Sequence, residues 1–88
     1  MNRSEMIHEK LTASLSPESL EIIDRSLEHA GHEGAKSGGG HFDVIIIADA
    51  FKDMNTVQRH RAVYDALGDA MKSEIHALSI RAYTPEEF

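Results

Sequence analysis

Cysteine is absent from the 88-residue chain, which removes disulfides, thiol catalysis and thiolate ligands from what it can supply alone. Any metal site must be built from His, Asp or Glu, or be completed by ligands from another molecule. Long apolar runs are lacking as well. The longest strongly apolar stretch, Val44 to Ala48, falls far short of the roughly 20 residues that cross a bilayer and fits a buried strand, so no membrane association is expected. Cations are in the minority: nine Lys and Arg against 15 Asp and Glu leave a formal charge of −6. Nucleic-acid affinity rests largely on neutralised phosphates, so this balance disfavours a general nucleic-acid role. Charging all six histidines would bring the net charge to zero, which weakens that objection in acid. The opening MNRSEMIHEK carries Glu5 and Glu9 and lacks the apolar stretch of a secretory signal. A cytoplasmic location is therefore expected.

What is present fits one domain over residues 1–88. A chain of this length forms a single core and buries only about 60–65% of its unfolded surface. Apolar residues at 41% and charged residues at 27% suit a soluble globular protein. Asn2 and Glu5 have capping-box spacing, and Ile7, Leu11 and Leu15 recur on one helical face until Ser16-Pro17 ends the helix. Leu20 to about Ser26 reads as a strand, with Asp24 and Arg25 pointing to an edge. Gly31 to Gly40 holds five of the six glycines and reads as a loop. The clearest strand follows: Phe42, Val44, Ile46 and Ala48 lie on one face, Asp43, Ile45 and Ile47 on the other. Asn55 with Gln58 starts a second helix, whose apolar stripe is Val57, His60, Tyr64, Leu67 and Met71, with an interruption near Gly68. Ile75 to Tyr83 is a third strand in which His76 shares a face with Leu78, Ile80 and Ala82, and Thr84-Pro85-Glu86-Glu87 begins a final turn. The order α-β-β-α-β predicts an α+β fold (α/β in the broad sense). Its sheet should have three strands, an antiparallel hairpin joined through a helical crossover to a parallel third strand, with the helices packed on one face.

The inventory for catalysis is thin. No serine sits in a nucleophile elbow, no glycine motif opens a helix after a strand, and no carboxylate pair stands apart from ordinary surface charge, so neither an enzyme nor a small-molecule substrate is expected. Gly31-His32-Glu33-Gly34 matches the GxxG of K-homology RNA-binding domains, but it falls in the hairpin loop rather than between helices. The histidines are more informative. His8 reads as a solvated helix residue, and His60 as a half-buried one hydrogen-bonded to the sheet. His76 opens a strand, where an imidazole either projects at the sheet margin or serves a structural role. His29 and His32 stand around the start of the glycine loop and His41 at its end, so that loop could set a second nitrogen beside His76 on one metal.

Taken together, several spaced blocks resemble the BolA family: Arg59-His60-Arg61 with Tyr64 and Leu67, Ile75-His76-Ala77-Leu78-Ser79-Ile80, Thr84-Pro85-Glu86-Glu87, Ser16-Pro17-Glu18 and His41-Phe42. The resemblance implies a class II K-homology-like fold without the RNA-binding GxxG. It also implies a partner, a monothiol CGFS-type glutaredoxin, with which a [2Fe-2S] cluster is shared. In such a heterodimer the glutaredoxin supplies a cysteine and a bound glutathione thiol, and the BolA-like chain supplies a strand histidine and a loop His or Cys. By position the strand ligand maps onto His76 and the loop ligand onto His29, with His32 and His41 as alternatives. No cluster is expected in the isolated chain. Some family members act as DNA-binding regulators of stress response and cell shape. For that alternative, Arg59, Arg61, Lys72 and Arg81 are the candidate basic residues.

Overall fold

The computed structural model describes residues 2–25, 40–73 and 75–88. Helix α1 (Arg3–Leu15) starts where the side chain of Asn2 accepts the Glu5 N–H at 2.8 Å, relieving one of the unpaired donors of the first turn. It ends at Ser16, whose φ of +46° lets its N–H reach back to the Thr12 carbonyl at 3.1 Å, and Pro17 cannot continue the helix. The sheet consists of β1 (Ser19–Asp24), β2 (Gly40–Ile47) and β3 (Ile75–Tyr83) in the order β1-β2-β3. β1 runs antiparallel to β2 and β3 parallel to it. Between β2 and β3 lie a 3₁₀ turn (Asp49–Phe51), helix α2 (Thr56–Leu67) behind its Asn55/Gln58 capping box, and the short helix α3 (Ala70–Ser73). Gly68 separates the two helices at φ +55° and ψ −128°, a conformation that a β-carbon would strain.

This is the expected mixed sheet with its helices on one face. Phe42, Val44, Ile46 and Ala48 of the central strand and its exit are buried as read from their alternation. They form one core with Ile7 and Leu11 of α1, Val63 and Leu67 of α2, Phe51 and Ile75. β1 is an edge strand as expected, although it ends at Asp24 rather than near Ser26. Among the described residues no helix is long and apolar enough to cross a membrane.

The stripe expected on α2 is corrected. Val57 is 64% and Tyr64 41% exposed, while the helix buries Val63 and Leu67 and half-buries Ala62 and Ala66. Arg59 lies at the head of this buried face, three and four residues before Ala62 and Val63. Its guanidinium donates to the carbonyls of Met54 (2.9 Å) and Ala82 (3.1 Å) and grips the Glu87 carboxylate at 2.6 and 2.9 Å, while Glu87 also accepts the Thr84 N–H at 2.8 Å. These bonds tie the start of α2 to the 3₁₀ turn Pro85–Glu87 that closes the chain after β3.

The same contacts carry a pH dependence. Hydrogen bonding from Arg59 first, then from the Thr84 N–H, lowers the Glu87 carboxyl to about 2. A carboxylate depressed on folding stabilises the protein in full above its unfolded pKa near ~4.3 and loses that contribution as pH falls toward its folded value. The Glu87→Gln variant should therefore melt below wild type at pH 7, with the gap closing between pH 5 and about 2. Thermal melts across that range would show it, and a gap constant with pH would refute it.

Candidate metal centre

The two faces of the sheet differ in chemistry because side chains alternate along each strand. The face away from the helices carries rows set by strand register: Ile23, Asp43 and Ser79 form one, Glu21, Ile45 and Arg81 the next. At the head of these rows stands His41, half-buried and paired with Ala77. Its carbonyl accepts the Arg25 N–H at 2.8 Å, and the Arg25 side chain is ion-paired to Asp43, two residues along the same face.

His76 does not share a face with Leu78, Ile80 and Ala82, contrary to the expected alternation. Gly40 pairs with Ile75 but His41 pairs with Ala77, so one step on β2 spans two on β3 and His76 is the extra residue of a bulge. Ile75 is buried, His76 and Ala77 are both exposed, and Leu78, Ile80 and Ala82 resume the inward positions as half-buried residues. The bulge thus turns the His76 imidazole out beside His41. The ring centroids lie 5.0 Å apart with 41° between planes.

Two imidazoles bound to one tetrahedral metal, each nitrogen about 2.1 Å from it, bring their ring centroids to roughly 5 Å. The centroid separation of His41 and His76 falls at that value. Among the described residues no three His, Cys, Asp or Glu side chains gather closely enough to hold a metal. His29 and His32 lie outside the described residues.

Comparison with known proteins places the chain in a family. Residues 11–87 match the BolA-like protein family. This chain belongs to the BolA family. It is 45% identical over 91 residues to the Arabidopsis thaliana SufE-like protein 1, chloroplastic/mitochondrial, covering 98% of this chain but 24% of that protein. It is 36% identical over 84 residues to the Escherichia coli (strain K12) DNA-binding transcriptional regulator BolA, covering 96% of this chain and 77% of the relative. Among solved structures, the BolA domain of SufE1 from Arabidopsis thaliana superposes with a TM-score of 0.86 at 46% identity, over 100% of this chain and 98% of that one.

The remaining candidate residues of this BolA-like chain are scattered. Arg59 is engaged by Glu87, and Lys72 lies 3.6 Å from Asp69. Arg61 is exposed on the helical layer, whereas Arg81 is exposed on the face of the sheet away from the helices. The four do not gather into one patch. His8 is exposed as expected, and His60, although half-buried, makes no side-chain hydrogen bond to the sheet among the described residues. Sequence reasoning missed Arg25 and Asp43. The available signal was Asp43 itself, an acid between Phe42 and Val44 of the central strand.

Proposed function

We propose that this BolA-like protein is a non-enzymatic, cytoplasmic partner of a monothiol glutaredoxin and co-ligates a shared [2Fe-2S] cluster, in cluster trafficking or iron regulation. The observation that carries the reading is the adjacency of His41 and His76 on the sheet face away from the helices, produced by a bulge that exposes an otherwise inward position. A chain without cysteine that presents two imidazoles offers the nitrogen half of a mixed site, and the thiolates come from the partner. In this reading His76 is one ligand and His41 the other, with His29 and His32 the alternatives for the second. Imidazole in place of thiolate on one iron raises the reduction potential of a [2Fe-2S] centre, which suits a carrier or sensor.

The test is reconstitution of the chain with a monothiol glutaredoxin, glutathione, iron and sulfide. A heterodimer with a visible circular dichroism spectrum distinct from that of the glutaredoxin alone is expected. Failure to form it would remove the reading. The name of the Escherichia coli relative supports a second reading, DNA-binding regulation. With a charge of −6 and its candidate cations dispersed, the chain is expected to show no sequence-selective duplex binding at about 0.15 M salt. Selective binding that persists there would favour the second reading.

A further inference from the structure

The two imidazoles cover a small part of what a specific partner needs, since a stable protein interface takes about 800 Å² from each side. A molecule that completes the site must approach from the face on which His41 and His76 stand, and must therefore cover the neighbouring rows of the sheet. That face is not a uniformly charged, solvated one. Ile23 and Ile45 stand half-buried on it, and two shallow hollows of about 200 and 70 Å³ lie along it, both bounded by Arg25, Asp43 and Ser79. The second hollow is closed by Arg81.

Charge singles out one residue. Of the cations on this face among the described residues, Arg25 is ion-paired to Asp43, whereas Arg81 makes no ion pair. It is exposed, in register with Ile45 and Glu21. Arg81 lies five residues along β3 from His76, about 16 Å at strand rise, well within one standard interface. Arginine at such a position pairs with a planar carboxylate through two parallel hydrogen bonds, and it is enriched among residues that dominate interfaces.

We infer that the glutaredoxin partner docks along the open sheet face from His76 to Arg81, over Ile45 and Ser79, and sets a carboxylate of its own against Arg81. This rests on the functional reading above and adds to it the surface and the partner group. On a chain of net charge −6 an acidic partner surface is repelled in general, so one unpaired cation inside the footprint fixes where a carboxylate can sit.

The test is isothermal titration calorimetry of the full chain against a glutathione-loaded monothiol glutaredoxin without iron, so that docking is read apart from cluster ligation. Arg81→Glu should weaken binding tenfold or more, and Arg81→Lys, which keeps the charge but not the two parallel hydrogen bonds, should weaken it by less than Arg81→Glu does. Ser79→Trp, which stands a large ring on the face, should abolish binding. Thermal melts confirm that each variant is folded. Wild-type affinity in both Arg81→Glu and Ser79→Trp would overturn the docking surface and leave the cluster reading intact if His76→Ala still loses the cluster. Absence of any pairing by the wild-type chain would overturn both. Loss of duplex DNA binding in Arg81→Glu at about 0.15 M salt, with glutaredoxin affinity unchanged, would assign Arg81 to nucleic acid and overturn the inference.

Discussion

Phe51→Ala is expected to destabilise the protein by about 3–5 kcal/mol, the cost of removing a large buried aromatic and leaving a cavity. Phe51 has 0% exposure and sits at the centre of the core between α1, β2 and α2. It arrives there through the 3₁₀ turn after β2, in which the Ala48 N–H bonds the Tyr83 carbonyl at 3.0 Å and the Phe51 N–H bonds the Ala48 carbonyl at 3.2 Å. The turn is thus held to β3 on one side while its aromatic fills the space between layers on the other. A domain of this size has roughly 4–13 kcal/mol in total, so the variant should melt about 15–30 °C lower or be largely unfolded. Phe88→Ala supplies the contrast. Phe88 is 78% exposed and touches only the Tyr83 ring among the aromatics, with centroids 5.5 Å apart. Its loss should cost under about 1 kcal/mol. A Phe51→Ala melt within about 5 °C of wild type would contradict the assigned core.

His76→Ala is expected to do the reverse, leaving stability within about 0.5 kcal/mol and abolishing the cluster of the mixed complex. The exposed ring contributes little to the fold, and it occupies a bulge whose formation rests on backbone register rather than on the imidazole. What it does supply is one of the two nitrogens that the described residues bring together. Removing one ligand of a four-ligand site leaves an iron open to water, so the loss should be complete rather than graded. His41→Ala should lose the cluster as well if it is the second ligand. A wild-type spectrum in His76→Ala, with the melting temperature unchanged, would remove His76 from the site.

Much of the fold was legible because period-two and period-four patterns were clean: β2 buries the even residues its alternation indicates, and α1 buries Ile7 and Leu11. The α2 stripe misled for a physical reason. Val57 and Tyr64 are apolar enough to read as core, but the competing face of Ala62, Val63, Ala66 and Leu67 is the one that is buried, with Arg59 at its head bonded to Ala82 and Glu87. The exposed position of His76 was not legible. Unbroken alternation puts it with Leu78 and Ile80, and only the buried Ile75, out of phase with them, hints at the slip between Ile75 and Leu78. His41 was one of three loop alternatives in the sequence, and register, which no local pattern supplies, sets it beside His76.

In the proposed function, two imidazoles of this chain complete a metal site whose thiolates come from the partner. Electron spin echo envelope modulation of the reduced cluster in the mixed complex tests it most directly, using this chain labelled with ¹⁵N-histidine and an unlabelled glutaredoxin. Two ¹⁵N couplings are predicted for the wild-type complex, and no cluster at all for His76→Ala. A cluster that forms in the wild-type complex and shows no ¹⁵N coupling would contradict the account.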